Sequence, residues 1–383
     1  MKLTRGTLTA IVTSVVSAVL AATAATAGVA AAKPAGAAAG WSGTARASVP
    51  WSHVGPGWVL TQYTSARQGG GSGPEELYLF SPSGTRYQLA SWPNWRTAPV
   101  LIAWSPDGQR ALFQVFSGKG GTELLTLATG QVSTFVMQSA ASPIGFTTPR
   151  GLNIVGGQVS GNGTSLARYS LSGRLLQRLG YSVDGQVLYA PSGTEFVTGA
   201  SNGLKLVGND GTLIRDLPLP GTSANSCNPV RWWNSATILA SCPPPNSSIP
   251  QLWLVPVSGA RPTALTPPRH ESSGDLGDLD AWHLSSGLYL QSAGPCAVLQ
   301  IFKQARNGSI TLVKVPNTEG DNHVLTALGS RLLVQAPTSC TGSNSLLWFD
   351  PGTGAEQWLL RAPANVYGVS AAVPFYSREN GSL

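Results

Sequence analysis

Apolar and polar positions alternate in short bursts along most of this chain. Brief runs rich in Val, Leu, Ile and aromatic residues are cut by tight polar turns, which is the pattern of β-strands rather than of helices. Residues 99–103, 111–116, 123–127 and 132–137 make one set of four such runs. The first two are joined by the stretch WSPDGQRALF, residues 104–113. It reads as a hairpin with a mechanism. Pro106 presets φ near the value the turn needs, and Gly108 accepts the positive φ that other residues resist.

Turn glycines of this kind recur in two interleaved series. One comprises Gly84, Gly130, Gly173, Gly211, Gly259, Gly308 and Gly354; the other Gly57, Gly108, Gly151, Gly193, Gly287 and Gly329, with Ser235 standing where a glycine is due. Members of each series lie about 38 to 52 residues apart, close to the period of propeller blades. Seven units of four strands fit between residues 48 and 363. The expectation is an all-β, seven-bladed β-propeller of four-stranded blades, closed by the chain termini. Two segments compete for the innermost strand of the first blade, residues 48–54 and 366–373. Protection of exposed strand edges favours the C-terminal one.

Composition agrees: 383 residues hold 45 Gly and 28 Pro, and only 11% are charged, so turns abound and helix formers are scarce. The N-terminus reads differently. Lys2 and Arg5 precede an apolar core at residues 11–20, and small residues then offer cleavage after Ala24, Ala27 or Ala32. This layout is that of a signal peptide over residues 1–32, with an uncleaved anchor as the alternative. Residues 33–47 read as a flexible linker, 48–376 as the propeller and 377–383 as a tail. The expected location is outside the cell or in the cell envelope. The net charge of +7 is spread over isolated basic residues, which disfavours nucleic acid and leaves a mild attraction to anionic envelope polymers.

The stretch at residues 104–113 resembles the repeat hairpin of TolB-like β-propellers, and YAPSGTEFV at residues 189–197 is a weaker copy. Residues 233–235, Trp-Asn-Ser, and 283–287, His-Leu-Ser-Ser-Gly, depart from the full form. The resemblance implies a ring of four-stranded blades around a central channel. No stretch resembles the separate N-terminal domain of TolB, so its partner role is not carried over.

Both glycine series fall on one face, leaving longer connections on the other: residues 65–75, 91–99, 217–229, 243–250, 267–281 and 315–323. Function belongs on long loops held by a rigid scaffold. Four cysteines in an exported chain point to disulfides; Cys227–Cys242 and Cys296–Cys340 are the expected pairs. Carboxylates and imidazoles gather in Asp275, Asp278 and Asp280, with His270, Glu271 and His283 around them, and again in Glu319, Asp321 and His323. Converging oxygens of this kind would suit calcium, although no strict calcium-loop motif is present. Trp92, Trp95 and Arg96 form an aromatic loop able to stack on a partner. Arg231-Trp232-Trp233 reads as an inner strand with one indole toward the channel and one in the blade interface, core packing being the default for the pair. Phosphate-binding, nucleophile-elbow and zinc-protease motifs are absent. The expected role is a secreted scaffold binding a protein, peptide or glycan through the long-loop face, without a cofactor. The alternative is a hydrolase or lyase using the acidic and histidine loops around the sixth blade, with calcium as its candidate cofactor.

Overall fold

In a computed structural model, residues 46–66, 72–116, 121–160, 163–182, 186–219, 227–244, 247–268, 276–294, 298–337, 344–363 and 366–375 are described. They are all-β apart from short 3-10 turns such as Arg46–Ser48 and Trp51–His53. The strands come in sets of four. First in the chain are β1 (Val59–Ala66), β2 (Ser72–Phe80) and β3 (Arg86–Trp92). The second set is β4 (Val100–Trp104), β5 (Arg110–Val115), β6 (Gly121–Thr126) and β7 (Val132–Phe135). The third is β8 (Ser142–Phe146), β9 (Ile154–Ser160), β10 (Gly163–Tyr169) and β11 (Leu175–Ser182). The fourth is β12 (Leu188–Tyr189), β13 (Glu195–Ala200), β14 (Gly203–Gly208) and β15 (Leu213–Pro218). The fifth is β16 (Asn228–Asn234), β17 (Thr237–Cys242), β18 (Gln251–Pro256) and β19 (Thr263–Ala264). The sixth is β20 (Asp278–Leu284), β21 (Gly287–Ala293), β22 (Leu299–Gln304) and β23 (Ile310–Val313). The chain ends with β24 (His323–Leu328), β25 (Arg331–Pro337), β26 (Asn344–Phe349), β27 (Glu356–Leu360) and β28 (Gly368–Pro374).

Five sets are separate four-stranded antiparallel sheets; the remaining strands form one eight-stranded sheet in which β28 lies beside β1. Residues 48–54 make no strand, whereas β28 pairs antiparallel with β1 from Val59–Pro374 to Thr64–Gly368. Asn344 of β26 also pairs with Gly368.

Burial explains the sequence pattern. Middle strands such as β17 are buried almost throughout, while the outer β15 and β23 are mostly exposed. Each sheet is covered on both faces, so successive side chains of a middle strand enter opposite seams. Phe113 packs with Leu77, Leu101 and Leu125, whereas adjacent Leu112 packs with Phe146, Ile154 and Tyr169. Leu239 joins Ala281 and Leu290, while Ile238 and Ala240 join Val197 and Leu206. The last strands obey the same rule. Leu332 and Val334 face Tyr289 and Ile301, but Leu333 and Leu346 face Val59 and Phe80.

The first strand of a set carries a second repeated device, a one-residue bulge that skips Ile102, Ile144, Val230, Leu279, Leu325 or Ser370. Such a bulge sharpens twist and re-aims neighbouring side chains. Beside it, glutamines stitch sheets together. Gln62 Nε2 donates to Pro99 O at 2.7 Å, and its Oε1 accepts from Leu101 N at 2.8 Å. Gln291 does the same to Asn322 O at 2.7 Å and Val324 N at 3.3 Å.

All thirteen expected turn glycines have positive φ, from +59° at Gly329 to +135° at Gly287. At Gly108 the need is double, because a Cβ there would approach the Phe375 ring to 2.8 Å. Cys227 and Cys242 form the expected disulfide, with Cα atoms 4.3 Å apart; Cys296 and Cys340 lie outside the described residues. The Trp pair packs in the core as expected, but in two seams rather than in one seam and a channel. Trp232 is buried between the fourth and fifth sets, and Trp233 packs toward the sixth, because sheets cover both faces of β16.

Replacing Gln291 by Ala leaves a main-chain donor and acceptor without their partner. We expect a loss of about 1–3 kcal/mol in unfolding free energy, measured by denaturant titration.

Candidate functional site

Antiparallel order sends the glycine turns to one end of the strands and the longer connections to the other. Four residues at the longer-connection end are more strand-like than the sequence implies. Trp92 is the last residue of β3, Asp278 and Asp280 belong to β20, and His323 opens β24. The charged residues stay in the strands because partners await them there.

Asp278 is fully buried. Its Oδ1 accepts from Ser292 Oγ at 2.6 Å, and its carbonyl accepts from Ser241 Oγ at 3.1 Å. Asp280 points to a different partner: Arg231 Nε donates to its Oδ1 at 2.8 Å, and Arg231 Nη2 meets Oδ2. The guanidinium also lies 4.5 Å from the Trp282 ring centroid. Burial raises the Asp280 pKa, against the pull of Arg231. Asp321 Oδ1 caps Leu299 N at 2.6 Å, and burial raises its pKa as well. His323 is exposed yet closely surrounded by protein, and this partial loss of water lowers its pKa.

These groups do not converge. His283 sits near the opposite end of β20 from Asp278, about 17 Å away by strand rise. Among the described residues, no three His, Cys, Asp or Glu side chains gather as a metal site. Asp275, His270 and Glu271 lie outside the described residues.

The aromatic loop divides. Trp92 is 6% exposed and packs at 6.3 Å on Phe113, a core position. Trp95 lies in the 3-10 turn Trp95–Thr97, which Asn94 caps by accepting from Arg96 N at 3.0 Å. Its ring centroid is 4.5 Å from that of Tyr367, which is 56% exposed. The exposed Arg96 guanidinium stands 5.4 Å from the Trp95 ring. Two rings and a cation therefore form a platform just before the starts of β4 and β28.

Sequence reasoning missed Tyr367 and Glu75. Tyr367 has a weak signal, an aromatic just ahead of a strand in an otherwise small-residue segment. Glu75 has none, because a carboxylate beside Glu76 reads as solvated. It is instead buried on β2, accepting from the hydroxyls of Thr64 and Ser370. Burial is the main cause of its raised pKa; the two hydroxyls oppose it. Arg231 is missed as the partner of Asp280, although their 49-residue separation is close to the repeat.

With this geometry, likeness to solved structures is informative about fold. The β-propeller domain of the Trilobed protease from Pyrococcus furiosus aligns at TM-score 0.51 and 12% identity, covering 80% of this chain and 96% of that one. A prolyl endopeptidase aligns at TM-score 0.52 and 13% identity, over 85% of this chain and 51% of that one. A puromycin-hydrolyzing peptidase of Mycobacterium tuberculosis gives 0.51 and 14%, over 84% and 56%. This chain thus spans about half the length of the two peptidases. At such identities the likeness gives the β-propeller fold alone. No family model and no curated protein matches the sequence.

Because the Glu75 pKa is raised in the folded state, its stability contribution is complete below the unfolded value and is lost as pH rises through the folded value. Glu75→Gln should therefore match the parent near about pH 4 and gain stability relative to it toward about pH 8. Melting temperatures across that range check the sign.

Proposed function

We propose that this chain is a secreted, TolB-like, seven-bladed β-propeller that acts as a binding scaffold through its longer-connection face. The partner is a protein, peptide or glycan outside the cell or in its envelope. Seven hydrophobic seams between successive strand sets support the blade count, and the last seam joins Leu333 and Leu346 to Val59 and Phe80. Closure by β28 is supported by its pairing with β1 and by Gln335 Nε2, which donates to Val369 O at 3.3 Å. Export is supported by the layout of residues 1–32 and by the buried Cys227–Cys242 disulfide, which suits an oxidising compartment. Among the described residues no helix is long and apolar enough to cross a membrane.

A single contrast carries the binding reading. Asp278, Asp280 and Asp321, which a hydrolase or lyase would need, are each engaged by scaffold donors. Trp95, Arg96 and Tyr367 instead leave ring and guanidinium surface open to solvent. A half-buried Trp beside an exposed Tyr and Arg brings together the residue types that dominate interface energetics. The peptidase activities named for the structural relatives belong to those longer proteins.

The test is capture of an envelope partner by the full chain, compared with a Trp95→Ala, Tyr367→Ala double variant. Retained melting temperature with a fall in partner affinity of about tenfold or more is expected. Absence of any partner, or equal capture by both proteins, would overturn the reading.

A further inference from the structure

A buried polar cluster links the segments that carry the Trp95–Tyr367 rings. Glu75, 2% exposed, lies across from Thr64 in the pairing of β1 with β2 and across from Trp92 in that of β2 with β3. Its carboxyl accepts from Thr64 Oγ1 on β1 and from Ser370 Oγ on β28. Ser370 is the residue that the β28 bulge skips, and its hydroxyl also reaches Gln62 O at 3.3 Å. The Gln62 side chain in turn holds Pro99 O and Leu101 N at the start of β4. Tyr367 stands three residues before Ser370, and Trp95 four before Pro99. Both rings of the platform are thus footed on the same cluster.

Counting protons separates two states of this cluster. With Glu75 neutral, its O–H donates to Ser370 Oγ, the Ser370 hydroxyl donates to Gln62 O, and Thr64 donates to the other carboxyl oxygen. With Glu75 ionised, the single Ser370 proton has two acceptors to serve, the carboxylate and Gln62 O. The charge also lacks company of the opposite sign. Glu76 adjoins it on β2, and alternation puts Glu123 of β6 on the Leu125 face, toward the same seam. Tyr87 of β3 shares that seam but pairs with Leu79, nearer the glycine-turn end. Tyr63 and Arg86 pack on Tyr78, on the other face of the sheet, and β28 carries no charged residue. Arg96 on the 3-10 turn makes no ion pair with Glu75, and neither does any other cation among the described residues. A buried carboxylate in that position is relieved by its proton or by water. Ser370, the exposed member of the cluster, is where water can reach it.

We infer that Glu75 is a proton-operated latch that positions the two rings of the platform. Neutral, it fastens the start of β28 to β1 and β2 and keeps Tyr367 against Trp95. Loss of its proton to water draws solvent in at Ser370, loosens residues 367–370 from β1 and parts the rings. Glu75 is a positioning residue, acting through Ser370 and Gln62 rather than by touching a partner. The consequence for binding, weaker capture as pH rises, rests on the docking role proposed for Trp95 and Tyr367. The latch itself is read without a partner, so the two fail separately.

Burial raises the Glu75 pKa, so the fastened state is complete at low pH and is lost as pH rises through the folded value. Amide hydrogen exchange of the full chain at residues 368–371 tests it, with Glu75→Gln measured at each pH to cancel the intrinsic rate. We expect equal protection near about pH 4 and about tenfold lower protection in the parent by about pH 8. The near-ultraviolet circular dichroism that Trp95→Phe removes should weaken over the same range in the parent and stay level in Glu75→Gln. Ser370→Ala, a change at an exposed position that also serves if Glu75→Gln does not fold, cuts the link to β28. It should leave protection at residues 368–371 low and independent of pH. The inference is overturned if the parent and Glu75→Gln exchange alike across the range, if the dichroism ignores pH, or if Ser370→Ala keeps the parent's pH profile.

Discussion

Everything in this molecule depends on sheets being covered on both faces. A four-stranded sheet with one wet face could alternate apolar and polar residues, but these middle strands cannot. Ala111, Leu112 and Phe113 are all buried, and Leu332, Leu333 and Val334 likewise. Adjacent residues serve different seams, so a one-residue slip in register would exchange the side chains of two seams at once. Large-to-small changes at such positions typically cost about 2–5 kcal/mol. Register is therefore fixed by packing on both sides, and the turns need only permit it.

That constraint determines where polar residues can sit. Near the starts of the first strands, the bulges and neighbouring sheets bring main-chain groups of one set toward side chains of another. Gln62, Ser241, Gln291 and Gln335 all use this arrangement, each bonding to the first strand of the next set or to the residues just before it. Asp280 and Arg231 are a charged version, occupying equivalent places just beyond the bulges at Leu279 and Val230. A buried ion pair is weak evidence of net stability because desolvation opposes it. Its geometry nonetheless fixes how two neighbouring first strands align. Among the described residues, Asp278, Asp280 and Asp321, which looked functional in the sequence, belong to this stitching.

The legible part of the fold was the part written locally. Each turn glycine is marked by its own neighbours, and the positive φ required there needs no knowledge of the rest of the chain. The disulfide was legible because Cys227 and Cys242 flank one hairpin symmetrically, with Asn228 and Ser241 paired between them. The strand boundaries near the longer connections were not. Asp-Leu-Asp at residues 278–280 reads as a loop by charge, and only Ser292 and Arg231, brought in by sheet pairing and sheet stacking, make it a strand. Trp92 looked free because its loop neighbours are polar; its cover, Phe113, comes from the next set. Tyr367 could be matched to Trp95 only once β28 was laid beside β1.

The same physics separates residues that hold the scaffold from residues that can meet a ligand. A scaffold residue has its hydrogen-bonding capacity or apolar surface already used by the protein, as in Gln62, Gln291 or Leu346. A residue available to a partner has capacity left over. Tyr367 and Trp95 retain ring surface in water, where covering it would be favourable by about 25 cal/mol per Å² of apolar area. That surplus is apolar surface in a position to be covered, and it calls for a partner with a broad face that stacks on the platform.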